Sequence, residues 1–135
     1  MTRAWPDIQR SYEEWVSQGL KLQAMARLVA QIRQSRLKTL FAWISMYDLC
    51  IVQTEAKYPY NAPFLRISPR FDGNIEFRYC DTTVRERQWH RVVPEDGAFD
   101  RLVRFTDELH WFPQWHIKME IAGNSRKGSG RAPNR

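Results

Sequence analysis

The side chains with the widest chemical range are His90, His110, His116, Cys50 and Cys80. No histidine pair has His-x-x-x-His spacing and none sits in Glu-x-x-His, so no helix presents two metal ligands one turn apart. His110 and His116 bracket Trp111-Phe112-Pro113-Gln114-Trp115, with Glu108 close in sequence. If they converged they would suit acid–base or metal work, but packed or surface histidines give the same pattern. A Cys80–His90 nucleophile would need a thiolate in positive surroundings, and Arg78 offers only generic charge. Two cysteines make neither a disulfide framework nor a zinc cluster. There is no GxGxxG, and no GxxxxGK followed by Ser or Thr. The GSG near the end lacks the strand and helix that let such a loop cradle phosphate. These residues predict a non-enzymatic chain with no metal and no cofactor.

The charge is unevenly placed. The chain has 135 residues and a formal charge of +6. Residues 122–135 carry Arg126, Lys127, Arg131 and Arg135 and no acid, which leaves only +2 for the rest. That segment, rich in Gly, Ser and Asn, cannot bury apolar surface and is expected to be a disordered basic tail. Within the body, residues 20–38 hold Lys21, Arg27, Arg33, Arg36 and Lys38 and no acid, whereas residues 94–112 hold five acids and two arginines. The two regions can attract one another inside the fold, or the basic one can face a polyanion. At 43% hydrophobic residues the chain can build a core. No apolar run approaches the ~18 residues of a membrane span. MTRAWPDIQRSYEEW has no uninterrupted apolar stretch of the secretory kind. The expectation is a cytoplasmic domain over 1–121, with no membrane partner.

The elements that must position these residues follow from periodicity. Ser11 as cap and Glu14 three residues on predict a helix from 12 to about 34, with Gly19 as cap, kink or close contact between two pieces. Leu22, Met25, Leu28, Val29 and Ile32 give it an apolar face at helical spacing. Residues 36–46 fit helix or strand equally. Tyr47–Val52 reads as a strand, and Tyr58-Pro59-Tyr60-Asn61-Ala62-Pro63 as a loop. Residues 84–93 read as another strand. A helix starts near Pro94 and buries Phe99, Leu102, Val103, Leu109 and Phe112 until Pro113 stops it. Trp115, Ile117, Met119 and Ile121 alternate with His116, Lys118 and Glu120, predicting a final strand. As an edge strand it would pair with a second copy into a homodimer. The fold class is α+β: one N-terminal helix or two, an antiparallel sheet of about four strands, one helix and a last strand.

The middle of the chain fixes a register. Leu65 and Ile67 alternate with polar residues, as do Ile75, Phe77 and Tyr79, around Phe71-Asp72-Gly73. A two-residue loop would place Ile67 opposite Arg78. A three-residue loop pairs Arg70 with Asn74 and brings Ile67 to Phe77, so the apolar residues share one face. That register sets Arg66 directly opposite Arg78 on the other face, an unfavourable placement. Glu76 diagonally, an acid from a neighbouring strand, or an anionic partner would compensate. Phe64 and Cys80 share that face. A face mixing apolar and basic groups suits a protein partner, with Arg66, Arg78, Phe64 and Glu76 as the binding residues. An inhibitor, immunity or adaptor protein is the reading. The alternative is a nucleic-acid module using Lys21, Arg27, Arg33, Arg36, Arg126, Lys127 and Arg131, with some of the six tryptophans stacking on bases. No RNP-like signature supports it.

Overall fold

The computed structural model describes residues 2–55 and 63–112. The chain divides into two compact units, Met1–Val103 and Arg104–Arg135. Helix α1 spans Trp5–Ser17 and α2 spans Gln23–Arg33. A 3-10 turn at Arg36–Thr39 leads into a five-stranded antiparallel sheet. Its strands are β1 (Phe41–Ser45), β2 (Asp48–Val52), β3 (Phe64–Pro69), β4 (Asn74–Cys80) and β5 (His90–Pro94), lying in sequence order. Helix α3 follows over Ala98–Glu108. The class is α+β as the sequence indicates. Among the described residues five strands precede α3, where about four were expected. The expected strand at 115–121 and the tail at 122–135 lie outside the described residues, as does most of the proline loop.

The N-terminal helix begins earlier than its sequence suggests. Pro6 sits in its first turn, where a fixed φ and a missing N–H cost nothing. Trp5, Ile8 and Tyr12 then form its buried stripe. Ser11 is therefore a helix-interior residue rather than a cap, and its Oγ accepts from Arg3 Nη2 at 2.8 Å. The helix ends at Gly19, whose φ of 97° no β-carbon residue adopts cheaply. Gly19 N–H donates to the Val16 carbonyl and Leu20 N–H to that of Trp15, both at 3.0 Å, which closes the end as a Schellman motif. So the 12–34 segment is two helices, as one of its readings allowed. Met25, Leu28, Val29 and Ile32 of α2 are buried as their spacing requires.

The register of β3 and β4 is the one apolar matching selects. Arg70 N–H donates to Asn74 O at 3.0 Å, and Ile67 faces Phe77. Gly73 takes the left-handed position at φ 85°. In the β1–β2 hairpin, Ser45 pairs with Asp48, so Met46 and Tyr47 form a two-residue turn. Tyr47 is thus a turn residue and not the start of a strand. Residues 36–46, which fitted helix or strand, supply both a 3-10 turn and β1. Residues 84–93 are not one strand: a 3-10 turn at Arg85–Arg87 precedes β5.

One face of the sheet carries Ala42, Leu49, Ile51, Leu65, Ile67, Ile75 and Phe77, all essentially without solvent exposure. The stripes of α1 (Trp5, Ile8, Tyr12) and α2 (Met25, Leu28, Val29, Ile32) are buried as well. The Trp5 indole N–H donates to Leu40 O at 3.0 Å, and Tyr12 Oη to Tyr47 O at 2.8 Å, which fasten α1 to both ends of β1. Each large apolar side chain so buried stabilises by roughly 1.5–3 kcal/mol. In α3, Ala98 and Leu102 are buried, while Leu109 is exposed, against its expected place on the apolar face. Arg101 lies 5.3 Å from the Trp89 ring. In the second unit, Trp111 meets Phe105 edge-on at 5.4 Å, and Trp111 N–H donates to Thr106 O around His110 at φ 54°.

Candidate functional site

The opposite face of the sheet is built from the other parity of each strand. Register places Trp43, Cys50, Arg66, Arg78 and His90 in one row across all five strands. Its apolar side is a buried cluster of Trp43, Cys50 and Val52 with Phe41 and Phe64 packed against it. Trp43 and Phe64 rings meet at 5.4 Å. The predicted residues Phe64, Arg66, Glu76 and Arg78 are therefore brought together.

The opposed arginines are compensated within the chain. Arg66 Nε donates to Asp48 Oδ2 at 2.7 Å, and its Nη2 to Ser45 Oγ at 3.4 Å. Arg78 Nη2 donates to Glu76 Oε2 at 2.8 Å. Arg70 Nη1 approaches the second Glu76 oxygen at 3.6 Å, and His90 Nε2 lies 4.0 Å from the first. Glu76 is thus the hub of this face, shared by three basic groups. Burial works against the Arg66 charge, but the hydrogen bond to Asp48 and the nearby negative groups outweigh it and raise its pKa. Of the compensations considered from sequence, the two within the chain occur: Glu76 serves Arg78 along β4 rather than across the strands, and an acid of the neighbouring strand serves Arg66. Asp48 itself was not singled out there. Its signal was the short β1–β2 turn that places it first on β2, and that turn carries no glycine.

The cysteines are poorly placed for nucleophilic work. Burial pushes the Cys50 thiol up to about 12, against the pull of Arg66. Burial also raises Cys80, although Arg66, Arg78 and Arg85 oppose it. Cys80 Sγ points at the Arg78 carbonyl at 4.0 Å. Among the described residues no group of three His, Cys, Asp or Glu side chains is arranged to hold a metal. No helix of the described residues is long and apolar enough to cross a membrane.

The helix cations do not form one stripe. Arg27 reaches Glu95 at 3.3 Å, a pairing of the basic region with the acidic one. Arg33 Nη1 donates to Gln9 Oε1 at 2.8 Å. Arg36 sits in the 3-10 turn before β1. Lys21 borders a groove of about 450 Å³ shared with Met25, Arg70, Phe71 and Glu95. Arg33 and Lys38, with Arg3, line a second groove of about 500 Å³ that has no acidic wall. Arg126, Lys127 and Arg131 lie outside the described residues.

Sequence reasoning missed the surface with the largest exposed apolar side chains. In a meander of antiparallel strands the β1–β2 and β3–β4 turns lie at the same end, about 10 Å apart across two strand spacings. Met46 is 82% exposed and Phe71 is fully exposed at the two tips, and Tyr47 is exposed beside Met46. Tyr47 is held from below: its ring meets Trp15 edge-on at 4.9 Å, and Trp15 meets Tyr12 at 5.4 Å. Burial pushes the Tyr12 phenol up, so it stays a donor to the Tyr47 carbonyl. Met46 has φ 60° while Tyr47 does not share a positive φ, the pattern of a type II′ turn whose usual first residue is glycine.

No protein-family model, no curated protein and no solved structure matches this chain.

Proposed function

We propose that this chain is a small non-enzymatic protein-binding module of the inhibitor, immunity or adaptor type, acting in the cytoplasm. The observation that carries this reading is the end of the sheet, where Met46, Tyr47 and Phe71 stand exposed on two tight turns. Large apolar side chains clustered at one site are the usual anchors of a protein interface. The aromatic chain Tyr12–Trp15–Tyr47 holds one tip in place, which lowers the ordering cost of binding. Lys21 and Arg70 beside Phe71 give this end a polar rim. On the sheet face, Arg66 and Arg78 already have carboxylate partners, so they shape the surface without calling for an anionic ligand.

Nucleic-acid binding is the second reading, and the acid-free groove of Arg3, Arg33 and Lys38 favours it. One experiment separates the two. The full chain and its Met46→Gly/Phe71→Ser variant are used as bait in extracts of the native host, with and without nuclease. The expected result is a protein retained by the wild type, insensitive to nuclease, and lost from the equally folded variant. Identical retention by both baits defeats the reading. Retention that nuclease abolishes favours the alternative. Purified chain should then bind DNA or RNA with a log–log salt slope of about −2 to −3, for three phosphate contacts.

A further inference from the structure

The two edges of the sheet are finished differently. On the β1 edge, Arg3 N–H donates to Ala42 O at 2.8 Å, so the N-terminal segment caps one of the strand's outward groups. On the β5 edge, β4 is the single strand neighbour among the described residues. Tyr79 N–H donates to Trp89 O at 2.9 Å, which sets the phase of the β4–β5 ladder. With Phe77 opposite Arg91 and Ile75 opposite Val93, those two β5 residues turn their backbone groups inward. His90, Val92 and Pro94 therefore turn theirs outward. β5 is also the most exposed strand of the sheet.

We infer that β5 pairs antiparallel with β5 of a second copy, on a two-fold axis through Val92. In that register the two Val92 residues exchange two N–H···O bonds, and each His90 N–H faces the Pro94 carbonyl of the other copy. Pro94 has no N–H, so the group it leaves without a donor is the His90 carbonyl of the other copy. That carbonyl already accepts from Arg91 Nη1 at 2.9 Å. An incoming β5 sets its missing donor against this already satisfied acceptor on both sides of the axis, which is why the occupant is a second copy. The register sets Arg91 opposite Val93, so no arginine faces an arginine. Val92, 41% exposed, meets its own copy on the sheet face. The result is a continuous ten-stranded sheet with an isologous interface.

The test is sedimentation of the full chain over a wide concentration range. Wild type should rise from monomer towards dimer mass. Val92→Pro should remain a monomer with an unchanged circular dichroism spectrum, because it removes only an outward N–H and edge strands accept proline there. Val92→Thr, which keeps the N–H, should still dimerise. A wild type that stays monomeric throughout overturns the inference, as does a Val92→Pro protein that dimerises like wild type. If Val92→Pro does not fold, amide exchange in the wild type decides. Val92 and His90 amides should become protected as concentration rises, and protection independent of concentration overturns the pairing.

Discussion

The two tight hairpins are joined side by side in one sheet, yet they are made by different means. The β3–β4 hairpin uses a three-residue loop with Gly73 in the left-handed position. Its Asp72 carboxylate accepts from Asn74 N–H, which holds it below the usual carboxylate range. The β1–β2 hairpin has two loop residues, Met46 and Tyr47, with a side chain where glycine is normally required. It is held instead by long-range contacts, from Tyr12 and Trp15 of α1 and from Arg66 of the other hairpin to Asp48. One turn is fixed by its own residues, and the other by what packs around it.

The largest expected effect tests the inner face that both hairpins share. Phe77 on β4 is fully buried, whereas Phe71 three residues before Asn74 is fully exposed. Phe77→Ala should cost about 3–5 kcal/mol in urea unfolding, as large-to-small changes in a packed core do. Phe71→Ser should stay within about 0.5 kcal/mol. Similar costs for the two would mean that the β3–β4 tip is packed after all and that its aromatic is not free to bind.

The contrast also explains what was legible in the sequence. The β3–β4 hairpin could be derived to the residue because Ile67, Ile75 and Phe77 alternate cleanly and Asp72-Gly73 is a local turn signal. From its register came the Arg66–Arg78 opposition, and with it half of the charged face. The β1–β2 hairpin carries no such signal. Phe41-Ala42-Trp43-Ile44 is apolar on both parities, because the outward residue Trp43 is itself buried in a second cluster. Met46-Tyr47 contains no Gly, Asn or Asp. Hence residues 36–46 stayed ambiguous, and Asp48, 18 positions from Arg66, was invisible as its partner. The exposed tip was missed for the same reason: a turn that tertiary contacts impose has no local mark.

The second effect in size tests the link between the hairpins. The Arg66–Asp48 pair is about two-thirds or more screened from solvent on each side. Asp48→Ala should therefore cost about 1–2 kcal/mol, near the worth of a charge-assisted hydrogen bond after partial solvent screening. Arg66→Met in the Asp48→Ala background should recover most of it, since the cost lies in a cation left without its acceptor. If the double variant is as unstable as the sum of the two single changes, the pair contributes nothing and the β1–β2 turn is held by α1 alone.

The smallest effect is the one whose sign separates the two turns. Gly73 has open space where a β-carbon would go, so Gly73→Ala meets no clash and pays only for its backbone angle. That cost is about 1–2 kcal/mol for an L-residue in the left-handed region, offset by roughly 0.5–1 kcal/mol because alanine has less freedom in the unfolded chain. Met46 already pays a cost of this kind, so Met46→Gly removes it. Against the gain stands the extra freedom of glycine in the unfolded chain, roughly 0.5–1 kcal/mol. The side chain itself loses little on removal, because it is mostly in solvent. The expected result is a urea midpoint that falls for Gly73→Ala and holds or rises slightly for Met46→Gly. A clear loss of stability in Met46→Gly would show that the methionine packs against something in the folded chain. It would then no longer be an exposed anchor for a partner.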